Sequence, residues 1–415
     1  MSDCGCSSIS GPKLKPLEEA LALLLDHARA VDGTETLPLS ESLGRVLAKP
    51  VSSQVTVPPW DNSAMDGYAI NTADMKGEGT RLPVSQRIPA GAPGDAPLEQ
   101  GTAARIFTGA PVPPNADAVV IQEVCEADGD DVIVNQPPEA GANIRRAGED
   151  TEKGQQVIDA GTRIAPQHVG LAAAVGVGKL NVHRRLKVAL FSSGDELVDP
   201  GQPLGPGQIY NSNEYTLKGL LEALGCEVVS LGIVEDTFDA TCEALTRAAR
   251  QADLVMTSGG VSVGEEDHLK PAVEKLGTLD MWKIAIRPGK PLAFGHIEGV
   301  PFIGTPGNPV SLFVTFCLFA RPFILKMQGM VEGLVPTPIR APIDFDWPKP
   351  DKRREFARAR LELDEQGMPR ISSYRSRSSG VLSSLAWSNG LAVLPENQVL
   401  SKGDQVEFLP FSELL

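Results

Sequence analysis

An alternation of short apolar runs with helical segments, between residues 187 and 327, most strongly constrains the fold of this 415-residue chain. Strands that alternate in this way with helices are typical of a parallel, doubly wound α/β sheet. The predicted elements are strands at Val188–Phe191, Val228–Val234 and Leu254–Thr257, helices at Asn213–Leu224, Phe238–Arg250, His268–Leu276 and Pro309–Met327, and a hairpin from Met281 to Phe302. The apolar run Val310–Ala320 ends at Arg321 and is too short to span a bilayer, so it predicts a buried core helix.

The regions on either side of residues 187–327 have different sequence patterns. Helical spacing predicts helices at Pro16–Val31, Glu41–Ala48 and Pro166–Val177, whereas residues 51–148 alternate short β-like runs with turn signals. Alternating segments such as Phe356–Leu363 and Val406–Leu409 follow Gly333. We therefore predict a multidomain α/β plus β fold. Its domains are an N-terminal elongated helical/β region at 1–52 and 149–184, an all-β insert at 53–148, a doubly wound α/β domain at 185–332 and a small C-terminal β-barrel at 333–415.

Charge and cysteine content restrict the function classes. Lys plus Arg number 38 and Asp plus Glu 53, a net charge of −15, which argues against nucleic-acid binding but leaves room for a small anionic ligand. Six scattered cysteines predict free thiols in a reducing compartment, and Cys4 and Cys6 fit a solvated tail better than a metal site. No secretory signal is visible, so we expect a cytoplasmic protein without a membrane partner.

Polar or glycine-rich loops follow four predicted strands, at residues 192–196, 235–236, 258–267 and 304–309. Ligands of doubly wound sheets bind beyond the carboxyl ends of the strands. The loop at 258–264 would suit a phosphate, because glycines let backbone N–H groups approach it, although a capped strand–helix turn has the same composition. Four carboxylates of these loops could converge on Mg²⁺, or could be solvated loop ends: Asp195, Glu196, Asp236 and Asp267.

Basic and acidic side chains mark three further segments. Lys283 and Arg287 alternate with apolar residues on a predicted strand, and Lys290 follows a Pro-Gly turn. Cations on one face of a strand could bind an oxyanion, or the strand could simply present them to solvent. Residues 340–380 hold ten Lys/Arg against seven Asp/Glu, with Arg358 and Arg360 on one strand face. Residues 58–69 place two carboxylates in a proline-anchored loop, which could form a rigid polar site or a turn.

Together these segments resemble the molybdopterin molybdenumtransferase family, MoeA and the E domain of gephyrin. The resemblance covers Pro16 to the C-terminus and is carried, in the family's order, by PWDNSAMDGYA at 59–69, FTGAP at 107–111, RRAGED at 145–150, SGDEL at 193–197, the loop at 258–267, RPGKP at 287–291 and GNPVS at 307–311. It implies a MogA-like α/β domain that binds molybdopterin. It also implies a magnesium-dependent transferase that takes adenylylated molybdopterin and molybdate and releases AMP and molybdenum cofactor.

The resemblance also implies roles for residues at matching positions. The functional acids are Asp61, Glu196, Asp236 and Asp267, with Asp236 and Asp267 on the magnesium. The substrate contacts are Thr108, Arg145, Asp150, Ser258, Gly259, Gly260, Ser262, Gly264, Lys283, Arg287, Lys290, Pro306, Asn308, Arg358 and Ser379. Arg287 departs from the family, where a Lys is common; this keeps the charge but changes the donor geometry.

The implied assembly is an elongated homodimer, whose cleft draws the N-terminal β domain from one subunit and the α/β and C-terminal domains from the other. Implied partners are the upstream adenylyltransferase and molybdoenzyme chaperones. Two alternatives stay open, a molybdopterin adenylyltransferase and a gephyrin-like scaffold. The two β regions beside the α/β domain favour a molybdenumtransferase over the adenylyltransferase. The lack of a linker or fused second domain argues against the scaffold.

Overall fold

The computed structural model describes residues 14–259, 268–289 and 291–415, and these form an α/β unit joined to three smaller units rich in β-strand. We call the smaller units the base unit (residues 34–57 and 151–183), the insert (residues 58–150) and the barrel (residues 286–287 and 339–410). Several predicted positions lie outside the described residues: Cys4, Cys6, Gly260, Ser262, Gly264, Asp267 and Lys290.

The α/β unit is built on a six-stranded sheet. In spatial order its strands are Glu227–Val234, Lys187–Ser193, Leu254–Ser258, Val300–Thr305, Pro291–Ile297 and Gly277–Lys283. The first four are parallel, whereas Pro291–Ile297 runs antiparallel to both of its neighbours. The sheet is therefore parallel except for the strand that the predicted hairpin contributes. The turn at Glu298 and Gly299 is too short for a crossover, so the predicted hairpin must add an antiparallel strand.

Helices cover both faces of this sheet. They are Leu17–His27, Ser212–Ala223, Phe238–Gln251, Leu269–Leu276, Pro309–Thr315 and Arg321–Met327, the last two joined by a π-helical segment Phe316–Ala320. Apolar residues of Phe238–Gln251 and Leu269–Leu276 pack in one core, and those of the other helices pack in a second core. The doubly wound architecture is thus confirmed.

The segment Pro309–Met327 passes a length and hydropathy test for a membrane span, with 19 residues and a mean hydropathy of 1.7, but 94% of the tested window is buried inside the protein. It is the core helix that its sequence predicted. The helix Leu17–His27 packs beside it, with Ala20 and Leu24 fully buried in the same core. That packing places the helix on the α/β unit, although the predicted boundaries group it with residues 149–184.

The predicted helix Glu41–Ala48 is wrong. A 3-10 turn covers only Leu39–Glu41, after which Gly44 adopts a left-handed φ of 75° that redirects the chain. Val46 and Leu47 then form bridges to Arg163 and Val182. Leu47 is fully buried in the core of the base unit, so burial in this extended segment overrides the helical spacing.

The base unit and the insert are connected by two chain crossings. The base unit pairs Thr34–Pro38 with Lys179–His183 and Val51–Ser52 with Gln156–Ile158, and it carries the helix Pro166–Ala174. The insert sheet has the strand order Ala118–Ile121, Gly67–Ile70, Ala103–Ile106, Thr80–Ile88, Asp131–Val134 and Cys125–Asp128. Within the insert, the strands Asn62–Ser63 and Ile144–Arg145 pair with each other, and a bridge between Val57 and Thr151 lies where the chain enters and leaves the insert. Because its described helices are short 3-10 turns, the all-β prediction for the insert is confirmed.

The barrel contains a curved sheet. Its strand order is Ile286–Arg287, Arg354–Leu363, Gly390–Leu394, Gln405–Pro410 and Ile339–Pro342, with Pro369–Ser373 also paired to Arg354–Leu363. The amide of Asp344 donates to the carbonyl of Ile371 at 2.9 Å, which brings the two ends of the sheet together. Short helices Ser383–Trp387 and Phe411–Leu414 and a small strand pair Leu197–Val198 with Ile209–Tyr210 complete the described elements.

The prediction of one strand through Lys283 and Arg287 is wrong. Lys283 ends a strand of the α/β sheet, whereas Arg287 belongs to a strand of the barrel. Ile284 and Ile286 are both fully buried between the two units, so the apolar alternation marks a crossing between sheets.

Candidate functional site

Three loops of the α/β unit meet at the carboxyl edge of the sheet. Ser192 lies opposite Ser258, and Ser258 lies opposite Thr305, so the following loops are neighbours. The amide of Gly259 donates to the carbonyl of Thr305 at 3.1 Å. Gly259 has a φ of 88°, and an added Cβ would lie 3.3 Å from the carbonyl oxygen of Ser193. This position therefore requires glycine and keeps the backbone accessible at the edge where such sheets bind ligands.

Acidic side chains extend from this edge. The hydroxyl of Ser193 donates to Asp236 Oδ1 at 3.2 Å, and the amide of Asp236 donates to Asp195 Oδ1 at 3.4 Å. Glu196 lies in the same turn, with its carboxylate beside Gly194. None of the three carboxylates pairs with a Lys, Arg or His among residues 14–259, 268–289 and 291–415. They are therefore free of competing cations in the described part of the chain.

The predicted convergence of Asp195, Glu196 and Asp236 on one cation is not seen. Within the described residues, no three His, Cys, Asp or Glu side chains form a group that could hold a metal ion. Asp267, the second predicted magnesium ligand, lies outside those residues. Asp236 with its neighbour Ser193 still offers only hard oxygen donors, and this donor chemistry fits Mg²⁺.

The barrel contributes a loop to the same edge. The amide of Val310 donates to the carbonyl of Ser379 at 3.0 Å, which holds the loop against the start of the helix after Pro306 and Asn308. Asn213 also donates to the carbonyl of Gly307 at 2.7 Å. The structure thus brings together Ser258, Gly259, Pro306, Asn308 and Ser379 as predicted site residues from two units.

Arg358 orients the barrel loop that contains Ser379 through hydrogen bonds to the backbone of that loop. Its side chain is only 2% exposed, and Nη2 donates to the carbonyls of Ser376 at 2.6 Å and Ser378 at 3.2 Å. Nε donates to the hydroxyl of Ser384 at 3.1 Å. Burial lowers the pKa of the Arg358 guanidinium. Much of its donor capacity is therefore committed to loop carbonyls.

A charge network lies beside that loop. Arg287 pairs with Asp351 at 3.1 Å and with Glu355 at 3.6 Å, and Arg377 pairs with Glu355 at 2.5 Å. Burial opposes the shift, but hydrogen bonds from Arg353 and then Arg287 lower the pKa of Asp351 to about 2. Glu355 and Arg377 were not identified from sequence. The three arginines of this network, Arg287, Arg353 and Arg377, outnumber the two carboxylates that they contact, which leaves a local positive charge on an acidic protein.

Lys283 ends the strand Gly277–Lys283 of the α/β sheet, where it lies opposite Pro291. Its carbonyl accepts from the amide of Lys15 at 2.8 Å, which fixes the point where the chain leaves the α/β sheet for the barrel. Lys283 and Arg287 are close in sequence, but Lys283 is positioned by the α/β sheet and Arg287 by the barrel sheet.

A second group of predicted residues surrounds the short strand Asn62–Ser63 of the insert. Asp61 Oδ1 accepts from the amide of Ala147 at 2.8 Å, and Oδ2 pairs with Arg146 at 2.6 Å. The bond from Ala147 is the main cause of the lowered pKa of Asp61; partial burial opposes it and Arg146 adds to it. Arg145 lies opposite Asn62 in the strand pair. Arg146 was not assigned a role from sequence, although it belongs to the same RRAGED segment.

Thr108 and Asp150 complete this second group. The amide and the hydroxyl of Thr108 both donate to Asp66 Oδ1, each at 2.7 Å. The amide of Gly109 donates to the carbonyl of Ser63 at 2.8 Å, so the turn lies against the same strand. The amide of Asp150 donates to the carbonyl of Val57 at 3.1 Å, where the chain returns to the base unit.

The two groups are separate within one chain. In the part of the protein that the structure describes, no hydrogen bond or ion pair joins residues 58–150 to the α/β unit or to the barrel. Asp61, Thr108 and Arg145 therefore make no described hydrogen bond or ion pair to the strand-end loops of their own chain. A doubly wound sheet with polar strand ends, flanked by a β insert and a barrel, defines a multidomain α/β protein of a class that binds ligands at that edge.

Comparison with known proteins identifies the family. Three family descriptions match in order: "MoeA N-terminal region (domain I and II)" at residues 15–176, "Probable molybdopterin binding domain" at 189–326 and "MoeA C-terminal region (domain IV)" at 340–411. A molybdopterin molybdenumtransferase of Haemophilus influenzae is 40% identical over 401 residues, which are 96% of this chain and 99% of that protein. One from Bacillus subtilis is 33% identical over 92% of this chain and 90% of its own.

A solved structure extends the match to the fold. The molybdopterin biosynthesis moeA protein from Pyrococcus horikoshii OT3 is 32% identical, with a TM-score of 0.82, over 96% of this chain and all of that one (100%). The chain belongs to the molybdopterin molybdenumtransferase family. The family resemblance and the multidomain α/β plus β fold class predicted from sequence are both confirmed.

Proposed function

We propose that this protein is a molybdopterin molybdenumtransferase, which inserts molybdenum from molybdate into adenylylated molybdopterin and releases AMP. The observation that carries the proposal is the 40% identity to a molybdopterin molybdenumtransferase across all three matched regions. The polar strand-end edge supports it, since a nucleotide anhydride suits such an edge. The adenylyltransferase and scaffold alternatives are not favoured, because the relatives named above are molybdenumtransferases that match this chain over the insert and the barrel as well as the α/β unit.

The adenylate would bind at the strand-end loops. The backbone of Gly259 suits phosphate oxygens, and the sequence predicts further contacts at Ser258, Gly260, Ser262 and Gly264. Asp236 and Asp267 would hold Mg²⁺, which supplies charge to offset the anhydride as AMP leaves. Glu196 lies beside this edge and would orient the attacking group. Pro306 and Asn308 would shape the floor of the site at the start of the core helix.

Molybdate would bind where the barrel loop meets this edge. Lys283, Arg287 and Lys290 supply cations, and Ser379 lies on the loop that Arg358 holds in place. An oxyanion at this position is favoured by the surplus of arginine in the network around Asp351 and Glu355. The site would then hold two anionic substrates side by side and act through positioning and charge.

We further propose a cytoplasmic homodimer with composite clefts. The separation of the insert residues from the strand-end loops supports this, since a second copy would supply Asp61, Thr108, Arg145 and Asp150 to the edge. The upstream adenylyltransferase and molybdoenzyme chaperones would be the protein partners, for delivery of the adenylate and collection of the product.

One assay tests the activity. Purified protein is incubated with adenylylated molybdopterin, Mg²⁺ and molybdate, and AMP is measured; we expect AMP only when all three are present. Two controls, one without molybdate and one with EDTA to remove Mg²⁺, should release no AMP. Consumption of ATP with free molybdopterin, without AMP release from the adenylate, would instead indicate an adenylyltransferase. Stoichiometric capture of a receptor together with no AMP release would indicate a scaffold.

Replacement of Arg358 by Ala tests the molybdate site. The loop carbonyls of Ser376 and Ser378 would lose their donor, so we expect the molybdate concentration for half-maximal turnover to rise roughly tenfold. The apparent affinity for the adenylate should change less. Arg360→Ala is the matched control, because Arg360 lies two residues away on the same strand and stacks on Trp387. Unchanged molybdate dependence in Arg358→Ala would place the anion elsewhere.

A further inference from the structure

The hydroxyl of Thr108 has no proton left for a ligand. A threonine hydroxyl has one hydrogen to donate and two lone pairs that accept. That hydrogen is directed to Asp66 Oδ1 at 2.7 Å, and the amide of Thr108 donates to the same oxygen. Thr108 is exposed, so its Oγ1 presents only lone pairs to whatever enters the cleft.

Asp66 extends this acceptor surface. The two bonds from Thr108, with the backbone bond the larger cause, lower the pKa of Asp66, so its carboxylate stays charged near neutral pH. Its second oxygen, Oδ2, has no hydrogen-bond partner among the residues that the structure describes. Asp66 Oδ2 and Thr108 Oγ1 therefore form an adjacent pair of acceptors without a competing donor.

The charge of Arg105 adds to the lowering of the Asp66 pKa, but the described hydrogen bonds of Arg105 go to other groups. Arg105 donates through Nη1 to the carbonyl of Gly67 at 2.8 Å and through Nη2 to the side chain of Gln122 at 2.7 Å. Its guanidinium also lies over the rings of Tyr68 and Phe107, at 5.1 Å and 4.7 Å from their centroids. These contacts hold Arg105 on the sheet face, where it fixes the strand that precedes the turn.

We infer that Asp66 and Thr108 bind the N–H edge of the pterin ring, formed by its 2-amino group and the adjacent ring N–H. This inference rests on the proposed function, which supplies a pterin as substrate. Two neighbouring donors on the ligand match two neighbouring acceptors on the protein, and a charged acceptor makes the stronger hydrogen bond. The same surface repels phosphate and molybdate, so it orients the substrate with its anionic end toward the strand-end loops and the barrel.

Competition between two pteridines tests the inference. Pterin carries the 2-amino group, whereas lumazine has a carbonyl oxygen in its place. Each is titrated into the AMP-release assay of the wild-type protein. We expect pterin to inhibit at about tenfold lower concentration than lumazine, because a carbonyl in place of the amine meets a carboxylate. Equal inhibition by the two compounds, or none by pterin, would overturn the inference.

Variants of Asp66 and Thr108 test whether these residues cause the preference for pterin over lumazine. Asp66→Asn keeps an oxygen for Thr108 but places a donor where Oδ2 was, so the preference for pterin should fall to within about twofold. Thr108→Ser retains the hydroxyl and should keep the preference. Asp74→Asn is the matched control in the insert, since Asp74 accepts from the amide of Gly101 at 2.8 Å in a different loop. A preference that survives in Asp66→Asn contradicts the assignment. Absence of AMP release from the wild-type protein would instead reject the proposed function itself.

Discussion

Heterodimers with Asp61→Asn in one subunit and Asp267→Asn in the other should recover about half of wild-type AMP release, whereas each variant homodimer should be nearly inactive. Asp61 belongs to the insert, where Arg146 and Ala147 hold its carboxylate. No described hydrogen bond or ion pair joins that insert to the α/β unit of the same chain. If a second copy completes the cleft, one of the two clefts in the mixed dimer receives both native carboxylates.

The experiment uses two affinity tags. The variants are co-expressed, the heterodimer is isolated through both tags, and AMP release per dimer is compared with that of the wild type. A heterodimer of Asp74→Asn with Asp267→Asn is the control, since it should keep one intact cleft whichever chain supplies Asp61. A mixed Asp61/Asp267 dimer as inactive as its parents would show that both residues act in one cleft from one chain.

Replacement of Asp236 or Asp267 by Asn should lower AMP release at least about a hundredfold and leave adenylate binding largely intact. Asp236 accepts from Ser193 beside the loops at the carboxyl edge of the sheet. Amide substitution keeps the size of the side chain but removes the charge that would hold Mg²⁺. The fold should be retained in Asp236→Asn, because the described contacts of Asp236 are hydrogen bonds with Ser193 and Asp195 and include no ion pair.

Two measurements separate a metal role from a structural one. AMP release is titrated with Mg²⁺, and the midpoint should move to higher concentration in Asp236→Asn. Binding of the adenylate is followed separately, without molybdate. Asp239→Asn is the matched control, because Asp239 is an exposed carboxylate in the first turn of the next helix. Wild-type AMP release and an unshifted Mg²⁺ dependence in both variants would remove these residues from the metal site.

The interior of the α/β unit could be predicted from sequence because its signal is local. Apolar strands such as Leu254–Ser258 and helices such as Phe238–Gln251 were predicted to within one or two residues. Burial of the Pro309–Met327 segment also followed from its composition and the position of Arg321. The spacing of apolar residues and the length of each segment predict these elements, because each strand or helix buries the face on which its apolar residues lie.

Local patterns failed where distant segments compete for the same residues. The spacing in Glu41–Ala48 suggested a helix, but pairing of Val46 and Leu47 with Arg163 and Val182 made it extended. The alternation from Lys283 to Arg287 suggested one strand, but Ile284 and Ile286 draw the chain from one sheet into another. In both cases the free energy of burying apolar side chains against remote partners outweighs the local preference.

The sequence by itself determined the family, the fold class and the list of candidate residues, because ordered motifs such as PWDNSAMDGYA and GNPVS need no coordinates to be recognised. Only the tertiary structure decided which chemistry each side chain can offer. It commits Arg358 to loop carbonyls, pairs Arg287 with Asp351, and uses the proton of Thr108 on Asp66. A side chain has few donors and acceptors, and which of them remain free depends on neighbours that folding brings from far along the chain.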